Sequence, residues 1–112
     1  MEITHQIKDK IGVFLINGIL AENKLKQIRK YMDPFMENSD LEGIVVDFKN
    51  IEYVDSSGVG MLVAWYRDLK EQQKNLALFQ VNKEINKMFK LVGINAMINI
   101  FPTEEEALRS CH

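Results

Sequence analysis

From Ile44 to Asp68 the chain reads IVVDFKNIEYVDSSGVGMLVAWYRD, and the spacing of its apolar residues changes partway along. Ile44, Val45 and Val46 are consecutive β-branched residues, followed by Asp47 and Phe48. An unbroken run of this kind suits a strand covered on both faces, as in a parallel sheet. Ile51, Tyr53 and Val54 then carry the chain to a polar turn, Asp55-Ser56-Ser57-Gly58-Val59-Gly60. Beyond it, Val59, Leu62, Val63, Tyr66 and Leu69 recur at helical spacing and predict a helix with that stripe on the sheet. Ser and Asp directly before such a run are the usual start of a helix. Strand, turn and helix in this order open a βαβ unit.

The remaining pattern extends the alternation. Ile3 to Ile7 and Ile11 to Ile16 predict two strands joined as a hairpin across Lys8-Asp9-Lys10, with Asn17-Gly18 ending the second. Leu25, Ile28 and Met32 predict a helix that stops near Met32, because Pro34 interrupts the pattern, with a short extra turn at Phe35-Met36. Asn38-Ser39-Asp40 reads as a loop and Leu76 to Phe79 as another buried strand. Asn82 is placed to cap a third helix carrying Ile85, Met88, Phe89 and Val92, and Gly93 suits its end. Met97 to Phe101 predicts a last short strand. Thr103 and Glu106 then have capping-box spacing, in a first turn rich in glutamate. About five strands and four helices alternate. The expectation is one α/β domain over residues 1–112, a mostly parallel mixed sheet with right-handed crossovers.

Composition narrows the function classes. A chain of 112 residues has room for one core. Its 14 basic and 16 acidic residues give a net charge of -2, no electrostatic case for nucleic acid or an anionic membrane. Cys111 is the one cysteine, which fits a reducing compartment. The opening MEITHQIKDK lacks the apolar core of a signal peptide, and no apolar run reaches bilayer length. A cytoplasmic protein is expected. His5 and His112 are isolated from any Cys, His or carboxylate cluster, so no metal is expected; His5 reads as a solvated edge residue and His112 as terminal. Neither is placed to serve a serine nucleophile, and the G-x-S-x-G elbow, the Walker A lysine and the longer dinucleotide fingerprint are all absent. No enzyme activity and no cofactor are therefore expected.

The chemistry concentrates at the turn. The first turn of a helix has unpartnered N–H groups and the positive end of the dipole. A serine there caps the helix, and a phosphoserine there is stabilised further, because anions sit well at helix N-termini. By this reasoning Ser56 and Ser57 are equivalent.

The segments Val46-Asp47-Phe48, Val54 to Gly60, Met88-Phe89-Lys90-Leu91-Val92-Gly93 and Thr103 to Leu108 resemble a STAS domain, specifically a bacterial anti-sigma factor antagonist. The likeness runs from Val45 to Leu108 and is weaker before residue 40. It implies that the serine directly before the glycine, Ser57 (alternatively Ser56), is phosphorylated by a partner kinase that is also the anti-sigma factor. The unphosphorylated form would bind that kinase and release a sigma factor; phosphorylation would abolish binding, and a serine phosphatase would reset it. Other members implied by the resemblance are scaffolds or accessory subunits of signalling or lipid-transport complexes. The family often carries an acidic residue just before the first helix; here Ala21 stands there, with Glu22 next. That puts a family contact in question rather than the fold.

If Val59, Leu62, Val63 and Tyr66 face the sheet, Met61 and Trp65 lie one and two turns beyond Ser57 on the outer side. Both residue types are favoured in interfaces. The expected partner-binding surface is therefore Asp55, Ser56, Ser57, Gly58, Gly60, Met61 and Trp65, with a fold of Trp65 over a neighbouring loop as the other reading. A phosphoryl group would add a charge of about -1.5 to -2 there.

Overall fold

The computed structural model describes residues 2–111. Its centre is the β-branched run. Gly43–Asp47 (β3) is buried at every position, with Ile11–Leu20 (β2) on one side and Asn75–Phe79 (β5) on the other, both parallel to it. Glu2–Lys8 (β1) pairs antiparallel with β2 as the predicted hairpin, and Asn99–Phe101 (β6) adds to β5, giving the order β1-β2-β3-β5-β6. A sixth strand, Ile51–Val54 (β4), pairs with the far end of β2.

Side chains alternate across this sheet with period two. Phe14, Ile16, Ile44, Val46, Leu76 and Leu78 point to one face, where helices Glu22–Met36 (α1), Ser56–Glu71 (α2) and Lys83–Val92 (α3) cover them. Ile11, Val13, Val45, Ala77 and Phe79 point to the other, under Ala107 and Cys111 at the C-terminal helix Glu104–Ser110 (α4). Each fully buried aliphatic or phenyl side chain contributes about 1.5–3 kcal/mol. A strand buried on both faces is thus the natural home of an uninterrupted apolar run. Among the described residues no helix is long and apolar enough to cross a membrane.

Three local expectations change. Asn17-Gly18 bends β2 rather than ending it. Gly18 takes φ 115°, donates its N–H to the Asn50 carbonyl at 3.0 Å, and marks a register shift that lets β2 leave β3 and pair with β4. The sheet therefore has six strands, and residues 51–54 are a strand of their own. Second, α1 runs through Pro34 to Met36. The proline removes only the bond to the carbonyl of Lys30, a residue on the exposed side of the helix. Continuing the helix packs Phe35 against Phe14 and His5, at centroid distances of 5.0 and 4.5 Å, and buries Met36. His5 accordingly packs in that aromatic group, with Nδ1 2.5 Å from the Tyr31 hydroxyl, although its side chain stays exposed. Third, a 3-10 turn at Ile94–Ala96 shortens the last strand. The caps are as expected: Asn82 Oδ1 accepts from Ile85 N–H at 2.8 Å, Gly93 ends α3 in the left-handed conformation, and Thr103 Oγ1 accepts from Glu106 N–H at 3.3 Å. His112 lies outside the described residues.

Candidate functional site

Asp55 follows β4 in extended conformation and stands at the N-cap of α2. Its carboxylate is shared between two helices. Oδ1 accepts the Gly58 N–H at 2.9 Å and the Ser57 hydroxyl at 2.6 Å. Oδ2 accepts the Glu22 N–H at 3.1 Å, the first amide of α1. The backbone N–H of Asp55 in turn donates to the Leu20 carbonyl at the end of β2, at 3.1 Å. One side chain therefore closes the start of both helices. Ala21, at the N-cap of α1, makes no side-chain cap, and the Asp55 carboxylate accepts the first amide of that helix from across the turn. The Ser57 hydroxyl first, and then the Gly58 amide, hold the Asp55 carboxyl below its usual pKa of 3.8, because both donate to the charged form.

Gly58 is where the turn meets the sheet. A Cβ built there would run into the Leu20 carbonyl oxygen and lie 3.0 Å from both Leu20 Cβ and Val54 Cγ1. Only glycine lets α2 come down on β2 and β4 at this point. Gly60, two residues on, is the opposite case: a Cβ would meet nothing within 4 Å. Ser56 is exposed and Ser57 half-buried. Both hydroxyls are in the first turn, and only that of Ser57 bonds to Asp55.

Three of the expected surface residues are not on the surface: Gly58 is buried against Leu20 and Val54, and two large side chains follow it inward. Met61 is 1% exposed and Trp65 4%, so neither side chain is available to a partner. The buried stripe of α2 is Gly58, Met61, Leu62, Trp65 and Leu69, while Val59, Val63 and Tyr66 sit at its partly covered margin. The helix is rolled from the expected setting because it packs on two neighbours, the sheet and α1. Gly58 lowers its N-terminal end onto Leu20 and Val54, and farther along the Gln72 side chain bonds the Met36 carbonyl of α1 at 3.1 Å. Apolar residues line both directions of α2, so periodicity could not tell its deepest face from its flank.

The outer face is made of small side chains. Ser56, Gly60 and Ala64 follow one another at four-residue spacing and are exposed, with Arg67 and Asp68 beyond. Tyr53 on β4, at the same end, is 56% exposed. The exposure of Ala64 and Tyr53 was not legible in the sequence, since a lone alanine or tyrosine carries no chemical signal. Among the described residues no group of three His, Cys, Asp or Glu side chains could hold a metal ion.

Comparison with known proteins gives a consistent picture. The "Anti-sigma F factor antagonist" of Paenibacillus polymyxa is 24% identical over 110 residues, covering 96% of this chain and 94% of the relative. The "Anti-sigma-B factor antagonist" of Listeria monocytogenes is 28% identical over 108 residues, covering 95% and 91%. Among solved structures, the anti-sigma factor antagonist SpoIIAA in its unphosphorylated form has a TM-score of 0.75 at 22% identity, covering 97% of this chain and 96% of that one. The Bacillus protein in its phosphorylated form gives 0.74 at 23%, covering 97% and 98%. These likenesses establish the shared fold. The STAS domain model matches residues 2–107, so the weakly recognisable first forty residues are part of the same unit, and the chain belongs to the STAS domain family.

Proposed function

We propose that this chain is a phosphorylation-switched anti-sigma factor antagonist. Unphosphorylated, it binds an anti-sigma factor that is also a serine kinase and so releases the sigma factor. Phosphorylated on Ser57, it no longer binds, until a serine phosphatase removes the group. The observation that carries this reading is the Ser57 hydroxyl. It is only half-buried, stands in the first turn of α2, and donates to the Asp55 carboxylate at 2.6 Å.

A phosphoryl group there removes the donor that Asp55 now holds. It sets about -1.5 to -2 charges beside a carboxylate already ionised. The helix terminus tolerates the group through the positive end of its dipole. The domain can therefore stay folded while its docking surface changes sign. That SpoIIAA exists in both forms with one fold supports the same economy here. A partner forced to desolvate that charge near acidic groups loses about 3 kcal/mol, roughly a hundredfold in affinity.

The partner surface in this reading is Asp55, Ser56, Ser57, the exposed backbone at Gly60, and Ala64. Met61 and Trp65 act behind it as packing. Gly60 supports this placement: glycine inside a helix costs about 1 kcal/mol against alanine, and nothing within the fold requires it. A bare backbone lets a partner approach closely.

The test is capture from host lysate by wild type, Ser57→Ala, Ser56→Ala and Ser57→Asp, with the phosphorylated residue located by mass spectrometry. Ser57→Ala and Ser56→Ala should hold a kinase-like protein, Ser57→Asp should not, and phosphate should be found on Ser57. Equal capture by Ser57→Ala and Ser57→Asp would refute the switch. Phosphate on Ser56 alone would move the site by one residue.

A further inference from the structure

The hairpin leaves one edge of the sheet open. The strands β1 and β2 are joined by Asp9 and Lys10, both with positive φ (52° and 68°), a two-residue turn that closes on the pair Lys8 and Ile11. In an antiparallel ladder, hydrogen-bonded and non-bonded pairs alternate from such a closing pair. Glu2, Thr4, Gln6 and Lys8 therefore bond to β2, and the backbone groups of Ile3, His5 and Ile7 point outward. Among the described residues no other backbone group bonds them. The opposite edge, β6, is only three residues long, whereas β1 presents seven. Long edges are templates for another strand.

The sequence of β1, Glu-Ile-Thr-His-Gln-Ile-Lys, is complementary to itself when reversed. Placed antiparallel against a second copy with His5 opposite His5, the outward groups meet in phase. Ile3 faces Ile7 of the other copy in a hydrogen-bonding pair, His5 faces His5 in another, and Thr4 faces Gln6 between them. At each end Glu2 stands opposite Lys8, in the non-bonded position where side chains come closest. The faces agree as well. Lys8 already bridges Glu104 of α4 at 2.6 Å, so an incoming Glu2 would join an existing charge pair. On the other face Ile7, half exposed in the single chain, would be carried beside Ile3 and Tyr31, which line a shallow groove with Glu2, Thr4 and Gln27. Moving the register by one residue turns the outward groups of one strand against the inward groups of the other. Moving it by two leaves Glu2 and Lys8 unmatched.

We infer that β1 is a self-association edge: two copies of this chain pair through Glu2–Lys8 about a two-fold axis at His5, joining their sheets into one. The interface is isologous, so each charge pair occurs twice. It does not involve Ser57 and stands apart from the switch.

Sedimentation over about 10 µM to 1 mM, a range suited to weak association, reads the dimer directly. Glu2→Lys and Lys8→Glu each put like charges opposite at both ends and should weaken the dimer about tenfold or more. An equimolar mixture of the two variants restores opposite charges at both ends, so it should dimerise while neither variant alone does. Ile7→Pro removes an outward N–H without touching the bonds to β2 and should also give monomers. Thermal melts of each variant confirm that the hairpin is intact. Wild type that stays monomeric throughout the range, or a mixture no more associated than its components, would overturn the inference.

Discussion

Gly58 and Gly60 lie two residues apart in one helix, and alanine at each should move stability in opposite directions. At Gly60 the added methyl meets no atom within 4 Å, so only the backbone preference acts, and it favours alanine by about 1 kcal/mol. At Gly58 the same preference is opposed by a collision with the Leu20 carbonyl oxygen. That oxygen cannot swing aside, because it accepts the Asp55 N–H at 3.1 Å and belongs to β2. Overpacking of a rigid site costs about 1–3 kcal/mol, and a backbone obstacle places this one at the upper end. Net of the helix preference, Gly58→Ala should lose about 2 kcal/mol, and the two variants should differ by about 3 kcal/mol. With about 4–8 °C per kcal/mol for a domain near this size, Tm should fall by roughly 10 °C for Gly58→Ala and rise by a few degrees for Gly60→Ala. Circular-dichroism melts and urea titrations on the purified chain measure both. Equal shifts of the same sign would refute the close approach of α2 to β2. Under the proposed function Gly60→Ala should also bind its partner more weakly while being the more stable protein, a split that loss of folding cannot produce.

Other consequences follow from the caps. Asp55→Asn removes the carboxylate that both helix starts share, and should lower Tm at neutral pH. Because the folded pKa of Asp55 lies below the unfolded value of 3.8, its contribution is complete above that value and is lost as pH falls through the folded pKa. The gap in Tm between wild type and Asp55→Asn should therefore close in the acid range below 3.8, and a gap that persists unchanged there would contradict the assignment. Asn82→Ala should cost about 1 kcal/mol by uncapping α3, read from the urea midpoint. Pro34→Ala should stabilise by about 1 kcal/mol or more, since it restores a bond in the last turn of α1 without disturbing Phe35 or Met36; a loss of stability would mean the proline ring itself is needed.

Much of this fold was legible because its signals are local. The β-branched run became the doubly buried β3, the polar turn became the start of α2, and Asn82, Gly93 and Thr103 cap where their chemistry says they should. The misreadings share a cause: contacts between elements overruled local preference. Gly18 has the composition of a strand end, but β4 waits beyond it to extend the pairing. Pro34 is a helix breaker, yet burial of Met36 and the stacking of Phe35 outweigh one lost bond near a helix end. Met61 and Trp65 were assigned to the outside because α2 has apolar residues on two sides, and only the packing of α1 and the sheet selects between them. The link from Asp55 to Glu22 was hidden for a related reason. It joins residues 33 positions apart, and no local pattern near Glu22 announces it.

The most direct measurement is a calorimetric titration of the proposed partner, an anti-sigma factor that is also a serine kinase, with this chain, once unphosphorylated and once carrying phosphate stoichiometrically on Ser57, with circular dichroism run on both forms. A loss of affinity of about a hundredfold with an unchanged fold is the predicted result. Equal affinity of the two forms, or a loss that appears only because the phosphorylated chain has unfolded, would contradict it.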